Sequence, residues 1–236
     1  MFTYIFWGSM PIFWKMMNMV NPLYTLAMRV IFSMLVSVVF MLVTGTWQDV
    51  KTALKNKRVF YLTSLAGILV CINWGLYIYA SYSSQVMQGS LGCYLMPLGM
   101  ILCGRWFFGE KLNVWEYIST GFAAAGVLYM MISMGEFPTI ALGMAITFVI
   151  YGSIKKVTKL ESNVSLTFET LAMLPFAIGY VMFAEAGGFG AVGAVSGWQW
   201  VLLPLCGILT FIPLWFFGYG VTRIKYSIVG MLQYIS

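Results

Sequence analysis

Long apolar runs constrain this chain more than any other feature. Of its 236 residues, 61% are apolar and 8% are charged, whereas a soluble domain carries about 25% charged residues to stay hydrated. The composition therefore excludes a soluble enzyme, a secreted disulfide scaffold and a disordered tail. A helix needs ~20 mostly apolar residues to cross the ~30 Å hydrocarbon core. The apolar runs of this chain are continuous, whereas the strands of a membrane β-barrel alternate between apolar and polar residues. We predict an all-α integral membrane protein.

Eight runs meet this criterion, and a ninth begins at Tyr226 and supplies eleven residues. We therefore expect the sequence to stop within a ninth span. The pair Asn113 and Glu116 has the spacing of a capping box and is expected to begin the fifth span. Gln85 and Gln88 are expected to cap helices at the outer mouth of the bundle. The predicted spans are 1–17, 22–44, 59–80, 86–108, 114–134, 138–154, 164–184 and 198–219.

Basic residues are concentrated in the loops that follow the even-numbered spans, which hold eleven of the thirteen Lys and Arg residues. Because cytoplasmic loops of membrane proteins are enriched in Lys and Arg, we expect this side and the N-terminus to be cytoplasmic, in a multi-pass protein of the cell membrane. The net charge of +6 then reflects topology and not nucleic-acid binding. The eleven residues are Lys51, Lys55, Lys57, Arg58, Arg105, Lys111, Lys155, Lys156, Lys159, Arg223 and Lys225.

The two halves of the chain resemble each other at a shift of 140 residues. Gly67-Ile68-Leu69 aligns with Gly207-Ile208-Leu209, and Arg29 aligns with Glu169. The repeat unit is then five spans. Because five is an odd number, the second copy crosses the membrane in the opposite direction to the first. Many secondary transporters consist of such inverted repeats and hold their substrate near the midplane of the bilayer. Chance similarity between apolar helices is the alternative. The expected repeats are 1–134, short at its N-terminus, and 138–236, incomplete at its end.

Short motifs carry a family resemblance. Phe108-Gly109-Glu110-Lys111-Leu112 resembles the junction between the fourth and fifth spans of the EamA domain, in the drug/metabolite transporter superfamily. Asn73-Trp74, Ser90-Leu91-Gly92 and Gln233-Tyr234-Ile235 resemble the RarD-type branch, named for chloramphenicol sensitivity. The resemblance implies a transporter of ten spans with both termini cytoplasmic. We interpret Glu110 as part of a solvated junction without transport chemistry.

Two charged residues lie inside predicted spans, where a charge costs ~2.5–3.5 kcal/mol on insertion scales. Arg29 is ~10 Å into the second span and Glu169 a similar distance into the seventh, which runs the other way. The depths place Arg29 in the outer half and Glu169 in the inner half and do not favour a direct ion pair. Both are candidate substrate contacts, and Glu169 is a candidate proton carrier because buried carboxylates bind protons more readily. A structural role, capping or local pairing, is the alternative.

Polar and aromatic residues complete the candidate site. Asn73 lies in the middle of a span and aligns with Pro213. Polar or helix-interrupting residues at matching positions of two repeats indicate a transport site. Aromatic side chains would form walls for an amphipathic ligand, with packing or an interfacial belt as the alternative. The candidate substrate contacts are Arg29, Asn73, Trp74, Tyr77, Tyr94, Glu169, Trp215 and Gln233.

These features favour a secondary transporter that exports small organic metabolites or drugs by alternating access. The sequence has no GxxxxGK[ST] loop for a nucleotide-driven pump. It contains no His, which disfavours a membrane-embedded enzyme or a metal site, and we expect no cofactor. A truncated, inactive remnant of a transporter is an alternative. The expected partners are a small-molecule substrate and the lipid bilayer, with proton coupling as a hypothesis and the oligomeric state open.

Overall fold

The prediction of a helical membrane protein is confirmed. A computed structural model describes residues 1–17, 20–83 and 85–236, and within these ranges all regular structure is helical. The elements are α1 (Phe2–Met16), α2 (Pro22–Thr44), α3 (Trp47–Lys55), α4 (Lys57–Tyr82), α5 (Val86–Trp106), α6 (Val114–Met134), α7 (Thr139–Thr158), α8 (Ser162–Ala186), a 3-10 turn (Gly197–Val201), α9 (Leu202–Arg223) and α10 (Tyr226–Gln233).

Among the described residues, seven helices are long and apolar enough to cross a membrane, namely α2 and α4 to α9. They correspond to the predicted second to eighth spans, so the chain is an integral membrane helical bundle. Helix α1 has 15 residues, fewer than the ~20 that a crossing requires. A first span over residues 1–17, and with it the count of eight, stays a prediction.

Capping side chains set several helix boundaries. The Asn21 side chain accepts a hydrogen bond from the Leu23 N–H at 2.9 Å, and Pro22 occupies the first turn, where its missing N–H is not needed. The predicted capping box is confirmed: Asn113 Oδ1 accepts from the Glu116 N–H at 2.8 Å, and Glu116 Oε2 accepts from the Asn113 N–H at 2.7 Å.

The loop after the predicted second span contains a helix that we did not predict. Helix α3 buries Val50 and Ala53 against side chains of α2 and α8 and leaves Lys51 and Lys55 exposed. Its apolar residues occupy one face of a short, otherwise polar segment. A search for long apolar runs passes over such a surface helix.

A few close helix pairs build the bundle. Helix α7 packs on α4 and α5, α2 packs on α8 and α9, α4 also packs on α8, and α10 packs on α5. Helix α6 lies at the periphery against α5, and of its described residues only Val127 is buried. The other residues of this apolar helix are left outside the buried core of the bundle.

The loops that carry the basic residues meet at one end of the bundle, which we call the basic end. There Lys225 Nζ donates to the Lys111 carbonyl at 2.9 Å, and Lys156 Nζ donates to the Ile224 carbonyl at 2.8 Å. Helices α2, α5, α7 and α9 finish at this end. At the opposite end Gln88 Oε1 accepts from the Ile140 N–H at 3.0 Å, so Gln88 caps the start of α7 as predicted. The same prediction was wrong for Gln85, which precedes α5 but makes no capping bond with its side chain.

Candidate functional site

A central cavity of about 400 Å³ lies in the half of the bundle away from the basic end. Binding pockets for small organic molecules span about 300–1,000 Å³, so its size suits such a ligand. The walls come from the early turns of α2, α5, α7 and α9, from the later turns of α4, and from α1 and the end of the chain. The lining residues are Trp7, Gly8, Met10, Arg29, Asn73, Trp74, Tyr77, Cys93, Met96, Met144, Phe148, Leu209, Thr210, Leu214, Gln233 and Ser236.

Arg29 is the charged feature of this cavity. Its guanidinium carbon lies 4.2 Å from the centroid of the Trp74 ring, and its Nε donates to the Thr210 hydroxyl oxygen at 3.0 Å. A cation over an indole ring gains about 0.5–2 kcal/mol, and together with the Thr210 bond this contact holds the guanidinium in position. Among the described side chains that line the cavity, Arg29 alone carries a formal charge.

Two polar amides line the cavity with different hydrogen bonding. Asn73 Nδ2 donates to the Met144 carbonyl at 2.7 Å and to the Thr147 hydroxyl oxygen at 3.2 Å, which ties α4 to α7. Gln233 is 6% exposed, and its Oε1 atom is buried without a hydrogen-bond partner among the described residues. Asn73 thus has a structural task, whereas Gln233 has an unused acceptor.

A second cavity, of about 20 Å³, adjoins the first. Arg29, Trp74, Thr210 and Leu214 line both cavities and therefore separate them. The small cavity reaches Glu169, and its volume is that of about one water molecule. Arg29 and Glu169 therefore both line this small cavity, while the Glu169 carboxylate itself bonds to groups of α7 and α8.

Glu169 is the centre of a buried group that we call the ionic cluster: Tyr151, Lys155, Ser165 and Glu169. Its carboxylate lies 2.5 Å from Lys155 Nζ, and both side chains are 2% exposed. The Ser165 hydroxyl donates to Glu169 Oε1 at 2.5 Å, and the Tyr151 hydroxyl donates to Oε2 at 3.1 Å. Such an ion pair is stable in the interior only when further hydrogen bonds satisfy it, and here they do.

The interpretation of Lys155 as a loop residue was wrong. The predicted sixth span stops at residue 154, but α7 continues to Thr158, so Lys155 still faces the bundle. It follows Tyr151 by four residues and Phe148 by seven, which places all three on one helical face. That spacing is the signal in the sequence. The adjacent lysine, Lys156, points elsewhere and lies 3.4 Å from Glu110 Oε1.

The interpretation of Glu110 as solvated was also wrong. Its carboxylate accepts from the Tyr226 N–H at 2.6 Å and from the N–H and hydroxyl of Ser227 at 2.9 and 2.7 Å. Burial alone would raise the pKa of Glu110, but these hydrogen bonds, together with the Lys156 ammonium, outweigh burial and lower its pKa below the ordinary value. Glu110 therefore caps α10 at the basic end.

An aromatic layer that we did not predict separates the central cavity from the ionic cluster. Trp7 lies 5.7 Å from Phe217 and 6.1 Å from Phe148 between ring centroids, and Phe217 stacks on Tyr151 at 5.9 Å. Trp7 and Phe148 line the cavity, and Tyr151 belongs to the ionic cluster. The layer thus consists of Trp7, Phe148 and Phe217, and with 17% aromatic residues in the chain, composition alone could not single these three out.

Two predicted contacts lie away from the cavity lining. Trp215 packs against Phe40, Phe216 and Tyr219, with ring centroids 5.0–6.0 Å apart. Tyr94 is exposed, and its carbonyl accepts from the Tyr234 hydroxyl at 3.1 Å. The structure thus brings together Arg29, Asn73, Trp74, Tyr77 and Gln233, places Glu169 on the small cavity, and leaves substrate contact by Tyr94 and Trp215 a prediction.

The comparison with protein families agrees with this geometry. The model of the EamA-like transporter family matches residues 1–132. The chain belongs to this family. The predicted resemblance is therefore confirmed, and as an EamA-like protein the chain is a multi-pass membrane transporter of the drug/metabolite superfamily.

Individual relatives place it with the RarD-type branch of the EamA-like family. The uncharacterized transporter YojE of Bacillus subtilis (strain 168) is 37% identical over 99% of this chain and 79% of its own length. Protein RarD of Streptomyces exfoliatus is 34% identical over 99% of this chain and 74% of its own length. A solved crystal structure that is 17% identical has a TM-score of 0.75, covering 98% of this chain and 81% of that chain, which supports the fold.

Proposed function

We propose that this EamA-like protein is a secondary transporter that exports small organic metabolites by alternating access. The observation that carries the proposal is the asymmetry of the bundle. A cavity of about 400 Å³ occupies one half, while the aromatic layer and the ionic cluster fill the other half beneath it. A carrier caught with its site accessible from one side has this arrangement.

The transport cycle rests on two inverted repeats, 1–134 and 138–236. Their relation is supported by two equivalent helix crossings: Gly67 of α4 packs on Glu169 of α8, and its counterpart Gly207 of α9 packs on Phe32 of α2. Related crossings on both sides of one site would allow the halves to exchange roles as the cavity changes sides.

The basic end faces the cytoplasm in this proposal. Eleven of the thirteen basic residues are assigned to that side, as cytoplasmic loops require. Tyr4 donates to the carbonyl of Val229 near the start of α10, which supports a cytoplasmic start of α1. The central cavity then belongs to an outward-facing state in the plasma membrane.

Substrate contact is assigned to Arg29, Asn73, Trp74, Tyr77 and Gln233 at the cavity, with Tyr94 and Trp215 as further aromatic contacts away from its lining. Proton coupling is assigned to Glu169, because Glu169 lines the small cavity that Arg29 also lines. Protonation of Glu169 would release Lys155 and loosen α7 from α8 at the basic end.

The transport proposal is tested with the full chain in proteoliposomes loaded with a mixed metabolite pool. We expect protein-dependent release of a subset of compounds, measured by mass spectrometry, and exchange of the same compounds by counterflow. Liposomes that contain an Arg29→Gln, Trp74→Ala variant of normal stability are the matched control. Release of no compound above that control would contradict the proposal.

Proton coupling is tested separately. We expect Glu169→Gln to retain counterflow, which needs no driving force, but to lose the acceleration of release by an imposed pH gradient. Retained counterflow shows that the variant is folded. If the variant responds to the pH gradient as the parent does, Glu169 is not the coupling group.

A further inference from the structure

We propose that the central cavity takes an organic monoanion: a molecule with an apolar body, one carboxylate that Arg29 binds, and a hydroxyl or N–H group that Gln233 accepts from. This inference rests on the proposed transport function and names the substrate class of that same site. It draws on three independent properties of the lining, namely its charge, its unused acceptor and its apolar surface.

The charge of the lining favours an anion. Arg29 is the only formally charged side chain among the described residues of the lining. Glu169, which lines the adjoining small cavity, is neutralised by Lys155 at 2.5 Å. Charge-assisted bonds to a guanidinium are short and strong, and its planar fork matches a carboxylate. The Trp74 ring, 4.2 Å from the guanidinium carbon, already holds that group in place.

The acceptor comes from Gln233. This side chain is more than nine-tenths buried, and its Oε1 atom has no hydrogen-bond partner among the described residues. Buried polar atoms in native proteins are nearly always satisfied. A ligand that donates to Oε1 gains a bond that the protein itself does not supply, so the ligand carries a donor in addition to its carboxylate.

The remaining lining is apolar and deformable. Trp7 and Phe148 offer ring surfaces, and Met96, Met144 and Leu214 offer aliphatic and thioether surface. Aromatic groups stack edge-on or offset against such rings, and thioethers adapt to irregular shapes. These residues fit the hydrocarbon part of the ligand and add no charge.

The test is a matched ligand series bound to the full chain in detergent and measured by titration calorimetry. The series is 3-phenyllactate, 3-phenylpropionate, 3-phenyllactamide and 3-phenylpropylamine at neutral pH. We expect phenyllactate to bind about 10-fold or more tightly than its amide, and about 5-fold more tightly than phenylpropionate. The amine should bind most weakly.

Two variants separate the contribution of Arg29 to carboxylate binding from the contribution of Gln233 to hydroxyl binding. Arg29→Gln should abolish the preference for carboxylate over amide and keep the preference for hydroxyl. Gln233→Leu should abolish the preference for hydroxyl and keep the preference for carboxylate. Each variant thus proves its own folding by the preference that it retains. Arg105→Gln, which removes an exposed arginine bonded to Tyr117, should change neither ratio.

The outcomes distinguish this inference from the transport proposal. Binding of the amide or the amine as tightly as the acid, or no binding of either acid in the millimolar range, would overturn the substrate class. Counterflow of the amide without the acid would overturn the class and leave transport standing. Binding in the predicted order without counterflow of any ligand would support the class and overturn transport.

Discussion

At the residue scale, the ionic cluster decides how a charge can sit inside this bundle. Glu169 receives three donors, from Lys155, Ser165 and Tyr151. Each removes part of the desolvation cost that a lone buried carboxylate would carry. The stability of the pair is therefore conditional, because loss of either partner leaves the other charge uncompensated.

This condition gives the first prediction. Lys155→Met alone and Glu169→Gln alone should each destabilise the protein by about 3–5 kcal/mol, the cost of breaking a buried pair. The destabilisation of the double variant should be smaller than the sum of the two single destabilisations by at least about 1 kcal/mol, because no lone charge remains in the double variant. Thermal unfolding in detergent measures all three, with exposed Lys51→Gln as the control. Additive losses would mean that the two charges are not coupled.

At the element scale, two glycines permit the closest helix approaches in the core. A Cβ atom at Gly67 would lie 2.7 Å from the Glu169 Cα, and one at Gly207 would lie 2.6 Å from the carbonyl carbon of Phe32. Both obstacles are backbone atoms, which cannot rotate away. Helix α4 can meet α8, and α9 can meet α2, only without a side chain at these positions.

Gly67→Ala and Gly207→Ala should therefore each cost about 1–3 kcal/mol of stability through overpacking. Gly121→Ala on α6 is the matched control, because a Cβ there has nothing within 4 Å. Alanine is the better helix former by about 1 kcal/mol, so this control should be neutral or stabilising. Melting temperatures that move in the same direction in all three variants would contradict the close crossings.

A second feature at the scale of single helices is the cap that Glu110 forms on α10. Its lowered pKa means that the cap is fully present above the ordinary carboxyl value of 4.5 and is lost as the pH falls through the lower folded-state pKa. Glu110→Gln should cost about 1 kcal/mol at neutral pH, as for a lost helix cap, which is about 2–4 °C in melting temperature.

Melting curves of Glu110→Gln against pH check this third prediction. The difference from the parent should shrink as the pH falls below 4.5, because the parent then loses its own cap. Glu136→Gln, at an exposed position, should follow the parent at every pH. A constant difference down to acid pH would argue against a charged cap.

At the scale of the whole molecule, one half of the bundle contains the open cavity and the other half is filled. This difference predicts from which side of the membrane the cavity can be reached. Cys93 lines the central cavity, whereas Cys103 is buried close to the basic end of the same helix. The two thiols therefore report on opposite halves of the bundle. In the proposed orientation the cavity is reached from outside the cell.

The fourth prediction uses these thiols as probes. In a variant whose other three cysteines are alanine, Cys93 should react with a membrane-impermeant maleimide in intact cells, and 3-phenyllactate should slow the reaction. The matching variant that retains only Cys103 should stay unlabelled in intact cells. Labelling of Cys93 in inside-out vesicles alone would reverse the orientation and with it the direction of export.

Much of this protein follows from local sequence. Whether a segment enters the bilayer depends on its own summed transfer free energy, so the spans α2 and α4 to α9 were predicted within a few residues. The capping box at Asn113 and the cap by Gln88 were also predicted. The EamA-like family was predicted from short motifs, because such motifs are local too.

The tertiary structure alone decided the partners across the bundle. Lipid-facing and core-facing surfaces are both apolar, so hydropathy does not reveal which face of a helix turns inward. For that reason Lys155 was assigned to a loop, Glu110 to solvent, and the layer of Trp7, Phe148 and Phe217 was overlooked. The pairing of Lys155 with Glu169 joins residues of different helices, and it depends on helix rotation and packing, which no single segment of sequence encodes.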